Sequence, residues 1–400
     1  MRELLVMETA SLGVLTSLFG RFHTEDIVYC NWKSNEHLGA SMVGATDLDL
    51  LVDRKSALPL ARILSQAGVK RFVVEPFHRY PGVEDYVCFD PHSGKLIHLH
   101  VHYQLTLGEK HLKGYRPPWE ELVLSTRVLD GTYGIYVADP HVELLLLVVR
   151  AAVKLRVRDR LLAALRSTYM ADKVVQEFHW LVGRIQRERL LELARPLVGD
   201  TAARLLVEMV GGSPPSKRQL LAFRQSAVPA LRGYRTYGAW EARRRRWLRE
   251  GRTLWWLAEN RYYHVPKNSS RTCPQGGLAI AFVSPGGAGR STLPSEIAAW
   301  LGEELAVLPI TAPRTARGWR RRAARARSAR DQGKIVILDG LPPADLCPLD
   351  LVVQLRPPRG SGATLSHPRY PTATRVVDVD AGQPAARVLP ELQQAIWDSI

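Results

Sequence analysis

The sequence predicts a multidomain α/β protein: an N-terminal α/β domain, a central helical region, and a C-terminal α/β domain built on a parallel sheet. Three observations carry this. Short β-rich runs such as "DLDLLV", "RFVVEP", "DYVCFD", "LIHLHVHY" and "YGIYVA" alternate with helical segments up to residue 138. Residues 140–262 then hold no convincing strand. After "VPKNSSRTCPQGG", a linker by composition, α/β alternation resumes to the end. The boundaries read as 1–138, 139–264 and 277–400. Four hundred residues exceed one ordinary core and fit two or three domains.

Composition places the chain among folded proteins: 46% of residues are apolar and 24% charged. A net charge of +16 favours anionic partners, such as nucleotides, nucleic acid or an acidic membrane surface. An excess of Arg over Lys is also what a GC-rich genome would produce, a reading of the charge that needs no partner. Cys30, Cys88, Cys273 and Cys347 are scattered and form no C-x-x-C pair, so neither a zinc site nor a disulfide framework is indicated. They read as reduced, mostly buried thiols of a cytoplasmic protein. Glu3 and Glu8 interrupt the apolar start as no secretory leader would. The run "VELLLLVVRAAV" is short and carries Arg150, so no transmembrane segment is expected.

The C-terminal domain opens with "LAIAFV", a buried parallel strand, running into "SPGGAGRST" and a helix with Leu293, Ile297 and Leu301 on one face. That is the setting of a phosphate-binding loop. Its consensus is G-x-x-x-x-G-K-[ST], with glycines that let backbone N–H groups approach phosphate at a helix N-terminus. Here Ser284 holds the first glycine position and Arg290 the lysine position, with Gly286, Gly287 and Gly289 between them. Ser291 would bind Mg²⁺, with Thr292 beside it. A second strand, "KIVILDG", ends in Asp339, where a metal-coordinating acid belongs.

These stretches, with "RAARARSARDQGKIVILDGLP", "PLDLVVQLRPP" and "ATRVVDVDAGQPAARVLPELQQAIWDSI", resemble the thymidylate kinase-like P-loop fold over 277–400. The resemblance implies ATP as donor and a nucleoside monophosphate as acceptor. It also implies a loop lysine and an arginine after the strand-ending aspartate; Arg290 and Gly340 stand there instead. Arginine is planar and forked where lysine is a compact point charge, so this domain reads as degenerate.

The N-terminal domain has a second constellation, "YCNWKSNEHLGASMVGATDLDLLVDR". On a strand Asp47 and Asp49 share a face, and paired carboxylates suit Mg²⁺ bridging a nucleotide's phosphates. Gly44 and Thr46 form a tight turn before them, and Lys33 and Ser34 are placed to contact a triphosphate. This resembles the nucleotidyltransferase superfamily of the polymerase-β type over roughly residues 20–125, with its Gly-Ser turn and D-x-D strand; Lys33 replaces the turn glycine. The resemblance implies a third carboxylate on a neighbouring strand. On the candidate strand, "KLIHLHVHYQL", His98 takes that position, followed by His100 and His102 on the same face. Three readings compete: the histidines replace the acid as metal ligands or general base, they form a separate H-x-H metal site, or they line a cleft as a polar strand face.

The whole order resembles bacterial fusion proteins often placed with surface-polysaccharide genes. Between the two domains lies "AWEARRRRWLREGRTLWWLAEN", with Trp240, Trp247, Leu248, Leu254 and Trp255 near one face. It suits an anionic membrane surface, RNA, or packing of the Trp stripe between domains with a solvated charged face. Residues 317–330, "RGWRRRAARARSAR", read as an arginine lid over phosphates or as a solvated helix.

The leading expectation is metal-dependent nucleotidyl transfer. It uses ATP or another NTP and Mg²⁺ or Mn²⁺, with Asp47, Asp49, His98 and His100 as catalytic residues. The acceptor, small or macromolecular, is left open; nucleic acid is the less favoured partner, and peripheral membrane contact is compatible. The alternatives are a nucleoside monophosphate kinase working through Arg290, Ser291 and Asp339, or a non-catalytic nucleotide sensor or scaffold.

Overall fold

A computed structural model describes residues 11–74, 79–109, 112–154, 172–212, 215–263, 271–283, 292–313, 315–343, 346–356, 373–380 and 383–400. The chain is α/β and divides into two compact units. The first is Met1–Ala67 with His78–Glu84 and Leu99–His264; the second is Gly68–Phe77 with Asp85–His98 and Val265–Ile400.

Helix α1 (Gly13–Thr24) comes first, its Leu15, Leu18, Phe19 and Phe22 buried at helical spacing. Strand β1 (Tyr29–Asn31), a 3-10 turn (Asn35–His37), the short helix α2 (Leu38–Met42), strand β2 (Leu48–Val52) and helix α3 (Ala57–Gln66) follow. Strands β3 (Lys70–Val74), β4 (Val83–Asp90) and β5 (Lys95–His102) come next, then helix α4 (Glu120–Ser125), β6 (Val128–Leu129) and β7 (Tyr136–Val137).

In the first unit β1 runs antiparallel to β2 and parallel to β7. Strand β2 runs parallel to the Leu99–His102 half of β5, with Asp49 opposite His100. Helix α5 (Pro140–Lys154) forms the centre of this unit, and every residue from His141 to Val149 is buried. A helix apolar all round must be surrounded on all sides. Helices α6 (Asp172–Val182) and α7 (Arg187–Val198) pack against it. Helix α8 (Asp200–Val210) leads on to α9 (Lys217–Leu231), which also packs on α5. Asp139 and Pro140 start the helix: Asp139 Oδ1 accepts the His141 N–H at 2.8 Å, and Pro140 has no N–H to leave orphaned. Helix α10 (Ala239–Tyr263) ends the unit.

In the second unit β3 pairs antiparallel with β4 and with β8 (Arg271–Thr272). Strand β9 (Ala279–Val283), helix α11 (Leu293–Glu304), β10 (Val307–Thr311), helix α12 (Ala316–Asp331), β11 (Ile335–Asp339), β12 (Leu349–Arg356), β13 (Ala373–Asp380) and helix α13 (Ala385–Ser399) follow. Five of these strands form an all-parallel sheet in the order β10-β11-β9-β12-β13. Its two faces differ. Ile280, Phe282, Ile337 and Val353 meet Ile297 and Leu301 of α11 and Leu392 and Ile396 of α13. Ala279, Ala281, Val336, Leu338 and Val352 meet Ala323, Ala326 and Ala329 of α12. The arginine-rich stretch is therefore a sheet-covering helix that buries alanines. Of its arginines, Arg330 turns back to Asp350 at 2.6 Å.

All four cysteines are buried and free. Among the described residues, no helix is long and apolar enough to cross a membrane.

Candidate functional site

The pairing of β2 with β5 builds the site. Side chains alternate along a strand, so His100 and His102 share one face while Leu99 and Val101 fill the core on the other. The register sets Asp49 directly across from His100. Three atoms converge there: His100 Nδ1 lies 3.1 Å from Asp49 Oδ1, His102 Nε2 lies 3.2 Å from His100 Nδ1, and His102 Nε2 lies 3.5 Å from Asp49 Oδ1. Lys33 Nζ sits 2.8 Å from the same Oδ1.

Burial alone would raise the Asp49 carboxyl, but the Lys33 ammonium, with His100 and His102, outweighs it and holds Asp49 well below the usual range. Burial pushes His102 down to about 3, so its ring is neutral at neutral pH, the form that ligates metals. His102 Nδ1 is buried with no hydrogen-bond partner.

One carboxylate and two imidazoles make a mixed donor set. It fits a borderline cation such as Mn²⁺ or Zn²⁺ better than Mg²⁺, which favours all-oxygen ligation. The Lys33 ammonium supplies the positive charge at that point in this structure, so a cation entering the set must displace it.

The preceding turn is clamped to this strand. Asn31 Oδ1 accepts the Asp49 N–H at 2.9 Å, and Asn31 Nδ2 donates to Asn35 Oδ1 at 2.7 Å. Ser34 is left-handed, φ 59, a conformation that costs a non-glycine residue about 1–2 kcal/mol. Glu177 of α6 holds it by accepting its N–H at 3.3 Å. Glu143 of α5 accepts both the Asn35 N–H and Nδ2, at 3.0 and 2.7 Å. Glu36, Glu143 and Glu177 thus gather within 4.8 Å of one another.

Cations border the same region. Arg150 and Lys33 both lie over the Trp32 ring, at 5.5 and 5.2 Å, and Arg150 reaches Glu177 at 3.7 Å. Burial, with the charges of Lys33, Lys154 and Arg150, pushes Lys113 down to about 7.

Of the sequence candidates, Asp49, His100 and Lys33 meet, and Ser34 stands beside them in the clamped turn. Gly44, φ 68, makes the turn ahead of β2. Asp47 lies just before the strand and is exposed. His98 belongs to the second unit, where it lies 2.8 Å from Asp85 and 2.7 Å from Arg271. His102, one of the three histidines of that strand face, is the second imidazole. Asn31, Asn35, Glu143, Glu177 and Lys113 complete the site outside the sequence candidates. The two asparagines four apart around the Trp-Lys-Ser segment were the legible signal, because Asn side chains commonly hold turns.

In the second unit Ser284, Gly286, Gly287, Gly289, Arg290 and Ser291 fall outside the described residues. Thr292 is exposed and precedes α11, its carbonyl accepting the Ser295 and Glu296 N–H groups. Asp339 ends β11 opposite Phe282 of β9, the strand that runs into the glycine-rich segment.

No family model matches the chain, and no curated protein matches it. Two solved structures share limited likeness. One is JHP933 from Helicobacter pylori, at 10% identity and a TM-score of 0.26, over 55% of this chain and 90% of that one. The other is described as a "putative nucleotidyltransferase from H. pylori", at 12% identity and a TM-score of 0.22, over 55% of this chain and 93% of that one.

Proposed function

We propose that the first unit is a metal-dependent nucleotidyltransferase acting on a nucleoside triphosphate. The observation that carries this is the convergence of Asp49, His100 and His102 on one point, on a strand pair that follows a clamped Lys-Ser turn. A divalent cation held by these three side chains would offset charge on the phosphates and polarise the phosphorus under attack. Asp49 stays ionised and ready to ligate. Lys33, released from Asp49, and Ser34 contact the triphosphate, and the turn held by Glu143 and Glu177 fixes their position. Lys113 stands nearby with its ammonium destabilised by burial and then by like charges, the second of which an anionic substrate would relieve. Asp47, at the mouth of β2, is the candidate second carboxylate.

A second reading rests on the register of β9 and β11. It sets Asp339 beside the strand that enters the glycine-rich segment, the arrangement phosphoryl transfer or nucleotide binding would use. ATP and Mg²⁺ belong to that reading.

Product analysis with each NTP and Mn²⁺ or Mg²⁺, offering nucleoside monophosphates and sugar phosphates as acceptors, separates the two. Pyrophosphate release is expected, falling about 100-fold or more in Asp49→Asn. Unchanged release in that variant sinks the first reading. ADP release, lost in Asp339→Asn, supports the second.

A further inference from the structure

Helix α10 is built inside out. At 100° per residue, Trp240, Trp247, Leu248, Leu254 and Trp255 fall within one third of its circumference. This is its exposed side: Trp240, Trp247 and Trp255 are 74%, 75% and 70% exposed, with Leu254 at 68% and Leu248 at 49%. The opposite side carries the arginines that attach it to the first unit. Arg246 donates twice to Glu109 Oε1, at 2.9 and 2.6 Å, and Arg249 donates to Oε2 at 3.3 Å. Glu109 is buried, so these charge-assisted bonds anchor the helix from its polar side. Of the readings the sequence offered, a Trp stripe packed out of solvent is not what the structure displays.

We propose that α10 seats the protein on an anionic lipid bilayer surface. The stripe runs from residue 240 to 255, roughly 22 Å of helix, long enough to lie in the interface plane. Tryptophan is the side chain best suited to that depth, with an apolar body and a polar N–H at headgroup level. Arg244 stands exposed within the stripe, Arg243 and Arg252 are exposed beside it, and Arg245 is exposed further round. The helix carries seven arginines against Glu241, Glu250 and Glu259, so even with its anchor Glu109 the net charge stays positive. Apolar side chains bordered by excess arginine complement a surface that is apolar below and anionic above. Two leucines within the stripe favour lipid over single-stranded nucleic acid, which needs flat stacking platforms.

The test is sedimentation of the full chain with phosphatidylcholine vesicles, with and without phosphatidylserine. Binding is expected only with phosphatidylserine, weakening as salt rises. Replacing Trp240, Trp247 and Trp255 together by Ser is expected to weaken it about tenfold or more. Replacing all three by Leu is expected to retain it, because insertion needs apolar area and not an aromatic face. These side chains are exposed, and circular dichroism checks that both variants fold. Failure of the wild type to bind, or equal binding by the Ser variant, overturns the proposal. Tryptophan-dependent binding of single-stranded RNA that the Leu variant loses, with no vesicle binding, assigns the face to nucleic acid. Self-association abolished by the Ser variant, again without vesicle binding, assigns it to a second copy.

Discussion

Two groups of carboxylates lie close together in the first unit and behave in opposite ways. Asp49 is surrounded by Lys33, His100 and His102, and its carboxyl is held well below its ordinary range despite burial. Glu143 is buried too, among Glu36 and Glu177, and burial with those like charges pushes it up to about 8, although Asn35 pulls the other way. Burial is common to both; the neighbours decide the charge. At neutral pH Asp49 is an anion ready for a cation, while Glu143 carries a proton and serves as a structural acceptor. One group suits chemistry and the other suits architecture.

Breaking the architectural group should cost most. Glu143→Ala removes the acceptor of the Asn35 N–H and Nδ2, leaving a buried backbone donor unpaired, and is expected to destabilise by about 3 kcal/mol in chemical denaturation. A loss under about 1 kcal/mol would mean the clamp does not depend on it.

Next in size is a pH effect. The Glu143 carboxyl is raised from 4.5 to about 8 on folding, so its contribution is complete below 4.5 and lost as pH rises through 8. By proton linkage the wild type is expected to lose about 2 kcal/mol between pH 6 and 8, with little slope in Glu143→Gln. A slope unchanged in that variant would place the titration elsewhere. His102 gives the opposite arm. Its pKa falls from 6.5 to about 3, so stability is lost as pH drops below 6.5. Denaturation midpoints between pH 4 and 6.5 should flatten in His102→Gln.

The smallest effect sharpens the chemical group. If the Lys33 ammonium and a metal compete for Asp49, Lys33→Met should tighten Mn²⁺ binding about tenfold, or about 1.4 kcal/mol, by titration calorimetry. Unchanged affinity would break that view.

Much of the fold was legible. Helix α5 lies in the strand-free stretch after residue 140 and holds its most apolar run, and β9 was legible through "LAIAFV" before a glycine-rich segment. Asp49 was legible because a D-x-D pair at a strand is uncommon and chemically pointed, although only Asp49 of the two lies on β2. Its partners were less so. The face of β5 was clear from alternation, but the choice of His100 and His102 follows from the register of β2 against β5, which no local pattern encodes. Glu143 was hidden inside an apolar helix, and Glu177 lies in a helix that sequence periodicity described only generally. The arginine-rich helix α12 matches the solvated-helix reading of its stretch, but its buried face was not legible. Its charges dominate the text, while the alanines that seat it on the sheet are small and quiet.

The hold on Ser34 also sets a clock. Glu177, which receives its N–H, lies 143 residues further along the chain. At about 5–20 residues per second, a ribosome needs roughly 7–30 s to deliver it. Throughout that interval the nascent turn carries its left-handed residue without the acids that secure it. The Asp49 strand can pair with β5 early, but the loop beside it waits for α5 and α6, so the site matures in two stages during synthesis.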